Sequence, residues 1–408
     1  MKILHVVSTF SVDYPGGITN YIRTLAADQV GAGHLVDVLD GAGDDGWTMH
    51  ALGFRVTSVP ATSRRVHVAS SRYDSTGTDA IIALLRHERY DIVHFHLTIG
   101  VGESLYEEMP ELGIPYVVTL HDYFLFCPRI TMMDWRSENC GGPAKRKCER
   151  CVGVLDQIDP LYRLSRKTGI PLPRVLPSTM VTRRNERIHR FLLNARSVLA
   201  ISTRMKDFFE HRYDGLRCIV AHVGTPSAET GSTTKTPSPN LRLAFLGTLS
   251  RHKGADVLFE LAEQVGRTDA EFHFYGRVLE RSAAARLRDS RIIDHGPYTE
   301  DDLPQIMAQT DLGLVLSVWE EGAGIVVMEL LNHGTPVVAT RRGGLPDFVN
   351  ERNGFLFEPT PEGIAEAARF IDSLTRAQLA RLAAGITPLT TRAQHAEAVE
   401  RAYGANSR

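Results

Sequence analysis

The sequence predicts an α/β chain of two successive domains, each a parallel sheet with helices on both faces. Short, continuous apolar runs rich in branched residues alternate with helical stretches, the pattern of buried parallel strands. The alternation breaks at a segment crowded with Ser, Thr and Pro, then restarts. With 408 residues, the chain is long enough for two or three domains of about 150 residues each.

The first run, Lys2 to Val7, is followed by the Gly16-Gly17 pair and a helical stretch from Ile18 to Leu25, giving buried strand, glycine loop and helix. HLVDVLDG, DIVHFHL, PYVVTLHD and SVLAIS read as further strands, with DAIIALLRHER as an intervening helix. After Cys218-Ile219-Val220, the segment PSAETGSTTKTPSPN has almost no large apolar residue and reads as a solvated connection. The first domain therefore spans 1–222 and the connection 223–240. RLAFLGTLS, EFHFYGR, DLGLVLS and TPVVAT restart the strands, with VLFELAEQVG and IVVMELLNHG as helices, over 241–385. Residues 386–408 read as a terminal helix packing back on the first domain. Two such domains are expected to leave a cleft between the carboxyl ends of their sheets, where ligands of this architecture bind.

Composition excludes several classes. Apolar residues make up 43% and charged residues 23%, the balance of an ordinary globular protein. Against 46 Lys and Arg stand 48 Asp and Glu, a net charge of -2, so no global field draws the chain onto nucleic acid. No apolar run reaches the roughly 18 residues of a membrane span, and MKILHVVSTF has the wrong flanks for a secretory signal, so a cytoplasmic protein is expected. Neither G-x-G-x-x-G after the first strand nor a P-loop is present.

The densest chemistry lies in SVWEEGAGIVVMELLNHG. Glu321 and Glu329 are separated by seven residues, with Gly322 and Gly324 just after the first. A glycine loop opening a helix presents free backbone N–H groups, which suit a diphosphate. Two acceptor-only carboxylates at this spacing could grip hydroxyls at both ends of a nucleotide sugar. As a bare pair they would more simply be surface helix glutamates; the glycines and the Gly334-Thr335-Pro336 stop tilt the balance toward a site. Lys253 precedes Gly254 at another helix entrance, where an ammonium can neutralise charge on a phosphate leaving group. Gly16-Gly17 lets backbone approach a ligand closely. His121 follows the strand PYVVTL at the carboxyl edge of its sheet, whereas His94 and His96 read as hydrogen-bonded structural groups.

These motifs together resemble the retaining glycosyltransferases of family four, which have the GT-B fold of two Rossmann-like domains facing across a cleft. The resemblance covers nearly the whole chain and is most specific over 240–360. It implies that Glu321 contacts the donor sugar and Glu329 the ribose, as in the family's E-x7-E signature. It gives the amides around Gly322, at Ala323, Gly324 and Ile325, to sugar hydroxyls or phosphate. By the same likeness Lys253 is the diphosphate lysine, Gly16-Gly17 the first-domain glycine loop, His121 a contact to the donor sugar and Asn353 to Leu356 a scaffold strand. Two departures stand out: Thr248 replaces a common Arg, a cation that Arg251 could supply, and Ala323 replaces the usual Phe. The implied activity is transfer of a hexosyl or N-acetylhexosaminyl group from a UDP- or GDP-sugar to an acceptor hydroxyl, with retention and no obligatory metal, in glycan, glycolipid or natural-product synthesis. The alternatives are a nucleotide-sugar epimerase or hydrolase on the same fold, or a silent binding protein.

Two further features stand outside this scheme. Cys127, Cys140, Cys148 and Cys151 fall within a short segment and include one C-x-x-C pair, so a structural zinc site competes with reduced or disulfide-paired cysteines. Cys218, in an apolar strand, reads as a buried thiol. Between Arg163 and Arg190 the only acidic residue is Glu186, and Lys145, Arg146, Lys147 and Arg150 precede them. Such an excess fits an anionic membrane surface, a lipid-linked acceptor, or a solvated helical face.

Overall fold

The computed structural model describes residues 1–7, 10, 17–40, 46–58, 75–99, 104–134, 138–142, 147–148, 151, 179–225 and 233–404. The chain divides into two compact units, Met1–Val223 with Ala393–Arg408, and Gly224–Arg392.

The first unit is built on eight strands: β1 (Lys2–Val7), β2 (Leu35–Asp40), β3 (Gly46–Met49), β4 (Arg55–Ser58), β5 (Ile92–Phe95), β6 (Tyr116–Leu120), β7 (Ser197–Ala200) and β8 (Cys218–Val220). They lie in the order β3-β4-β2-β1-β5-β6-β7-β8, with β1 central between β2 and β5. Ile3, Leu4, Val6 and Val7 are at most 1% exposed, as an apolar run covered on both faces requires. The sheet departs from the all-parallel expectation at one edge, where β3 runs antiparallel to β4. Only a few residues join them, with Gly53 N–H donating to the His50 carbonyl at 2.9 Å, and so short a loop can only reverse the chain.

The second unit carries β9 (Leu241–Leu246), β10 (Ala270–Tyr275), β11 (Ile292–Asp294), β12 (Leu312–Val315), β13 (Val337–Thr340) and β14 (Gly354–Phe357), all parallel, in the order β11-β10-β9-β12-β13-β14. Buried Leu243, Phe272, Leu312 and Val338 join the helices Ala255–Gln264 and Pro361–Ser373 in one core. Thr360 caps the latter helix by accepting from Gly363 N–H at 3.2 Å.

The described part of the connection keeps exposed residues and is also tied to the second unit. Residues 226–232 lie outside those described, but Thr233 and Thr236 N–H groups donate to the His333 and Ala308 carbonyls, and the Lys235 ammonium reaches Thr335 Oγ1 at 2.5 Å. The helix Arg392–Ala402 belongs to the first unit from Ala393 onward, and Tyr403 sits against Gln29 and His94. No helix among the described residues is long and apolar enough to cross a membrane.

Candidate functional site

Two loops of the second unit, each following a strand at its carboxyl end, bring the charged groups together. After β9 the chain makes a 3-10 turn, Arg251–Lys253, and enters the helix Ala255–Gln264 through Gly254 at φ 88°. A Cβ at Gly254 would stand 1.9 Å from the Leu316 carbonyl oxygen, so only glycine permits this approach of the two loops. After β12, Ser317 to Gly324 lead into the helix Ile325–Asn332, with Gly324 left-handed at φ 70°.

Lys253 Nζ meets both carboxylate oxygens of Glu321, at 3.0 and 2.8 Å. Ser317 Oγ and Trp319 Nε1 each donate to Glu321 Oε2 at 2.8 Å. Burial alone would raise this carboxyl, but Lys253, Ser317 and Trp319 together hold it below the ordinary glutamate range. The Lys253 ammonium also lies 4.9 Å from the centre of the Trp319 ring. A compact, ionised Lys–Glu pair with its orientation fixed from three sides is therefore in place.

Beyond it, the N–H groups of Ala323, Gly324 and Ile325 donate to no acceptor among the described residues, and no side chain caps this helix. Glu329 stands on the same helix and is partly buried. Its environment is opposite to that of Glu321: burial, reinforced by Glu300, pushes its carboxyl up to about 7. Because the folded value exceeds the ordinary 4.5, this group adds stability as the pH falls from 7 toward 4.5 and withdraws it above 7. Glu329→Gln should accordingly melt higher than the native chain at pH 8, with the difference closing by about pH 4.5, as scanning calorimetry across that range can check.

Sequence reasoning passed over Gly343 and Gly344, which hold the Glu321 loop from behind. Gly344 N–H donates to the Glu321 carbonyl, and Gly343 N–H to Glu320 Oε2, both at 2.9 Å. The only signal was a glycine pair after the strand TPVVAT, too common a pattern to single out.

The other expected residues fall as follows. Arg251 is exposed on the turn beside Lys253, its N–H donating to Glu280 at 2.9 Å, and Thr248 is partly buried just upstream. Gly322 is partly buried and Ala323 buried in the Glu321 loop. In the first unit Gly17 opens the helix Gly17–Gly31, while Gly16 lies outside the described residues. His121 follows β6 and is partly buried; its Nε2 is 3.1 Å from His96 Nδ1, and its ring meets the Tyr21 ring edge-on at 4.5 Å between centres. Burial, helped by repulsion from His395, holds its imidazole down to about 3, so it is neutral. Burial raises neighbouring Asp122 to about 6.

Cys127, Cys140, Cys148 and Cys151 line one cavity together with Asp134 and Lys147, and none forms a disulfide. Among the described residues, however, the group of potential metal donors with atoms all within 4.8 Å of one another is His5, His94 and His96, so the four cysteine sulfurs do not make the close set that a tetrahedral zinc requires, and the zinc expected there is not supported. Cys218 is buried, and burial pushes its thiol up to about 12.

Of the basic stretch, Lys145, Arg146, Arg150 and everything from Arg163 to Arg174 lie outside the described residues. Apart from Lys147, which lines the cysteine cavity, the remainder lies on the helix Thr179–Asn194. There Arg184 is buried and donates to the Phe124 carbonyl, and Arg187 Nε meets Glu107 at 2.6 Å. These two cations serve folding contacts rather than a solvated face.

Comparison with known proteins adds the following. Residues 16–224 match the family described as glycosyl transferase 4-like domain, and residues 240–371 match glycosyl transferases group 1. A stretch of 106 residues is 35% identical to a sulfoquinovosyl transferase of Arabidopsis thaliana, covering 20% of this chain and 21% of that protein. Another of 114 residues is 31% identical to a probable glycogen synthase of Methanocaldococcus jannaschii, covering 26% and 22%. The matches thus span about a fifth of each relative's length. Among solved structures, a sucrose-phosphate synthase from Thermosynechococcus elongatus superposes with a TM-score of 0.65 at 15% identity, covering 99% of both chains. Anabaena HepE in complex with UDP and glucose gives 0.61 at 17% identity, covering 99% of this chain and 100% of that one.

Proposed function

The chain belongs to the family-four-like, group 1 glycosyl transferases with the GT-B fold, and on that premise we propose that it moves a hexosyl or N-acetylhexosaminyl group from a UDP- or GDP-sugar to an acceptor hydroxyl, retaining the anomeric configuration. One observation carries this reading: a fixed Lys253–Glu321 pair beside unpartnered helix amides, with a second, protonatable glutamate further along the same helix.

In the reaction the bond between anomeric carbon and diphosphate breaks, and its electron pair leaves with the diphosphate oxygen. Lys253 meets the charge that develops there, assisted by the amides of Ala323, Gly324 and Ile325 and by exposed Arg251. Glu321, oriented by Ser317 and Trp319, holds the sugar while it is oxocarbenium-like, and His121 contacts the same sugar. The acceptor oxygen attacks from the side the diphosphate leaves, and its proton passes to the departing oxygen. Glu329 accepts from the ribose hydroxyls. No step in this scheme calls for a metal.

Melting of the full chain with UDP-, GDP- and dTDP-sugars tests the reading, because a selective ligand raises apparent stability by mass action. One of these compounds should raise the melting temperature, and Glu329→Ala should abolish the rise. If none does, the donor assignment is wrong. Release of free sugar with no dependence on any acceptor would favour the hydrolase instead.

A further inference from the structure

His121 ends a buried chain of hydrogen bonds that the Gln29 side-chain amide orients. Gln29 Nε2–H donates to the Tyr403 oxygen at 3.2 Å, which leaves the Tyr403 hydroxyl hydrogen for His94 Nδ1 at 2.6 Å and His94 Nε2–H for Thr119 Oγ1 at 2.7 Å. With its nitrogen so engaged, Gln29 turns Oε1 to His5, accepting from His5 Nε2–H at 2.7 Å. His5 Nδ1 in turn accepts from His96 Nε2–H at 2.8 Å, which leaves His96 Nδ1 to accept from His121 Nε2–H at 3.1 Å.

We propose that this one-way chain sets His121 as the Nε2–H tautomer, so that its Nδ1 is offered only as an acceptor, for a hydroxyl of the bound donor sugar. A carboxylate or a deoxygenated carbon at that position of the sugar would find no hydrogen-bond partner, so the chain selects donors bearing a hydroxyl there. Gln29, His5, His96 and Tyr403 are then positioning residues acting through His121. The sugar contact rests on the function proposed above; the tautomer does not.

The interior supports a fixed direction. His5, Gln29 and His94 have no exposed surface, and His96, Thr119, His395 and Tyr403 are buried as well. An imidazolium would donate from both nitrogens and scramble the order, but burial holds His5 down to about 4 and holds His94 and His96 well below the ordinary value. Both ring nitrogens of His5, His94 and His96 are hydrogen-bonded, which accounts for this histidine cluster without an ion.

The test reads the tautomer directly, with no donor and no turnover. Long-range proton–nitrogen correlation spectra of the full chain labelled with nitrogen-15 histidine report it, His121 being assigned by the signal lost in His121→Asn. Expected is a neutral Nε2–H ring from pH 6 to pH 8. His96→Phe should add the Nδ1–H form and lower kcat/KM about tenfold. His96→Gln, whose amide can donate to His5 and accept from His121, should restore both. Should His96→Phe not fold, Tyr403→Phe removes one remote hydroxyl, frees Gln29 to turn over, and should likewise add the second form. An Nδ1–H ring in the unaltered chain, or a His121 spectrum that the interrupted chain leaves unchanged, overturns the proposal. A failed donor screen with the expected tautomer would instead count against the donor assignment alone.

Discussion

Lys253→Ala is expected to lower kcat by about 100- to 1,000-fold, with a smaller effect on donor KM, the order seen when a donor aimed at developing charge is removed. On the proposed scheme the ammonium contributes little to a diphosphate whose charge is already spread and solvated. It contributes more as the bond to the sugar breaks and charge gathers on the leaving oxygen, so its loss is felt mainly in the transition state. Folding should suffer less. Ser317 and Trp319 still donate to Glu321 when Lys253 is gone, so the loss should stay at about 1.5–3 kcal/mol, the range of a hydrogen bond to a charged group. The Glu321 carboxyl should then move upward, since Lys253 is the largest influence opposing its burial. Steady-state kinetics beside a melting curve separates the two effects. A raised KM with unchanged kcat would mean that Lys253 binds ground and transition states alike, and its assigned role would fall.

Gly343→Ala should do comparable damage from behind the site. At φ 53°, its added Cβ would stand 1.9 Å from the Glu321 carbonyl oxygen and 2.2 Å from the Glu321 nitrogen. Neither neighbour is a flexible side-chain end, so the loop carrying Glu321 must shift. We expect a loss of about 3 kcal/mol, from a strained left-handed residue together with displaced backbone. A shift of about 1 Å in Glu321 is expected to cost about 100-fold in turnover. Gly247→Ala is the matched control. That glycine also has positive φ, at 110°, but nothing lies within 4 Å of its Cβ, so only the strain of the left-handed backbone should remain. Equal losses in the two variants would show that contact with Glu321 is not what matters.

The sequence made some of this plain and hid the rest for physical reasons. Strands β1 and β9 were legible because sheets covered on both faces demand unbroken apolar runs. Strands β3, β4 and β11 lie at or next to sheet edges, are three or four residues long, and carry no such run. Lys253, Glu321 and Glu329 were legible as chemistry, since each sits beside a glycine loop or on the helix it opens. Their partners were not: Lys253 and Glu321 are 68 positions apart, and which loops meet depends on the order in which the strands assemble. Gly343 was invisible because its purpose is the close passage of a distant backbone. The histidines beside β5 could be recognised as structural, but the direction of their hydrogen bonds depends on Gln29 and Tyr403, which only the folded unit brings together.

The position of Tyr403 bears on how the molecule is made. The strands of the first unit leave the ribosome early, yet His94 and Gln29 have the hydroxyl that completes their interior only after the whole second unit has been synthesised. Until then the half that emerges first must wait with polar groups buried and unanswered, or stay partly open. The half that begins later can close on its own residues, and the older half is finished only by residues that follow it.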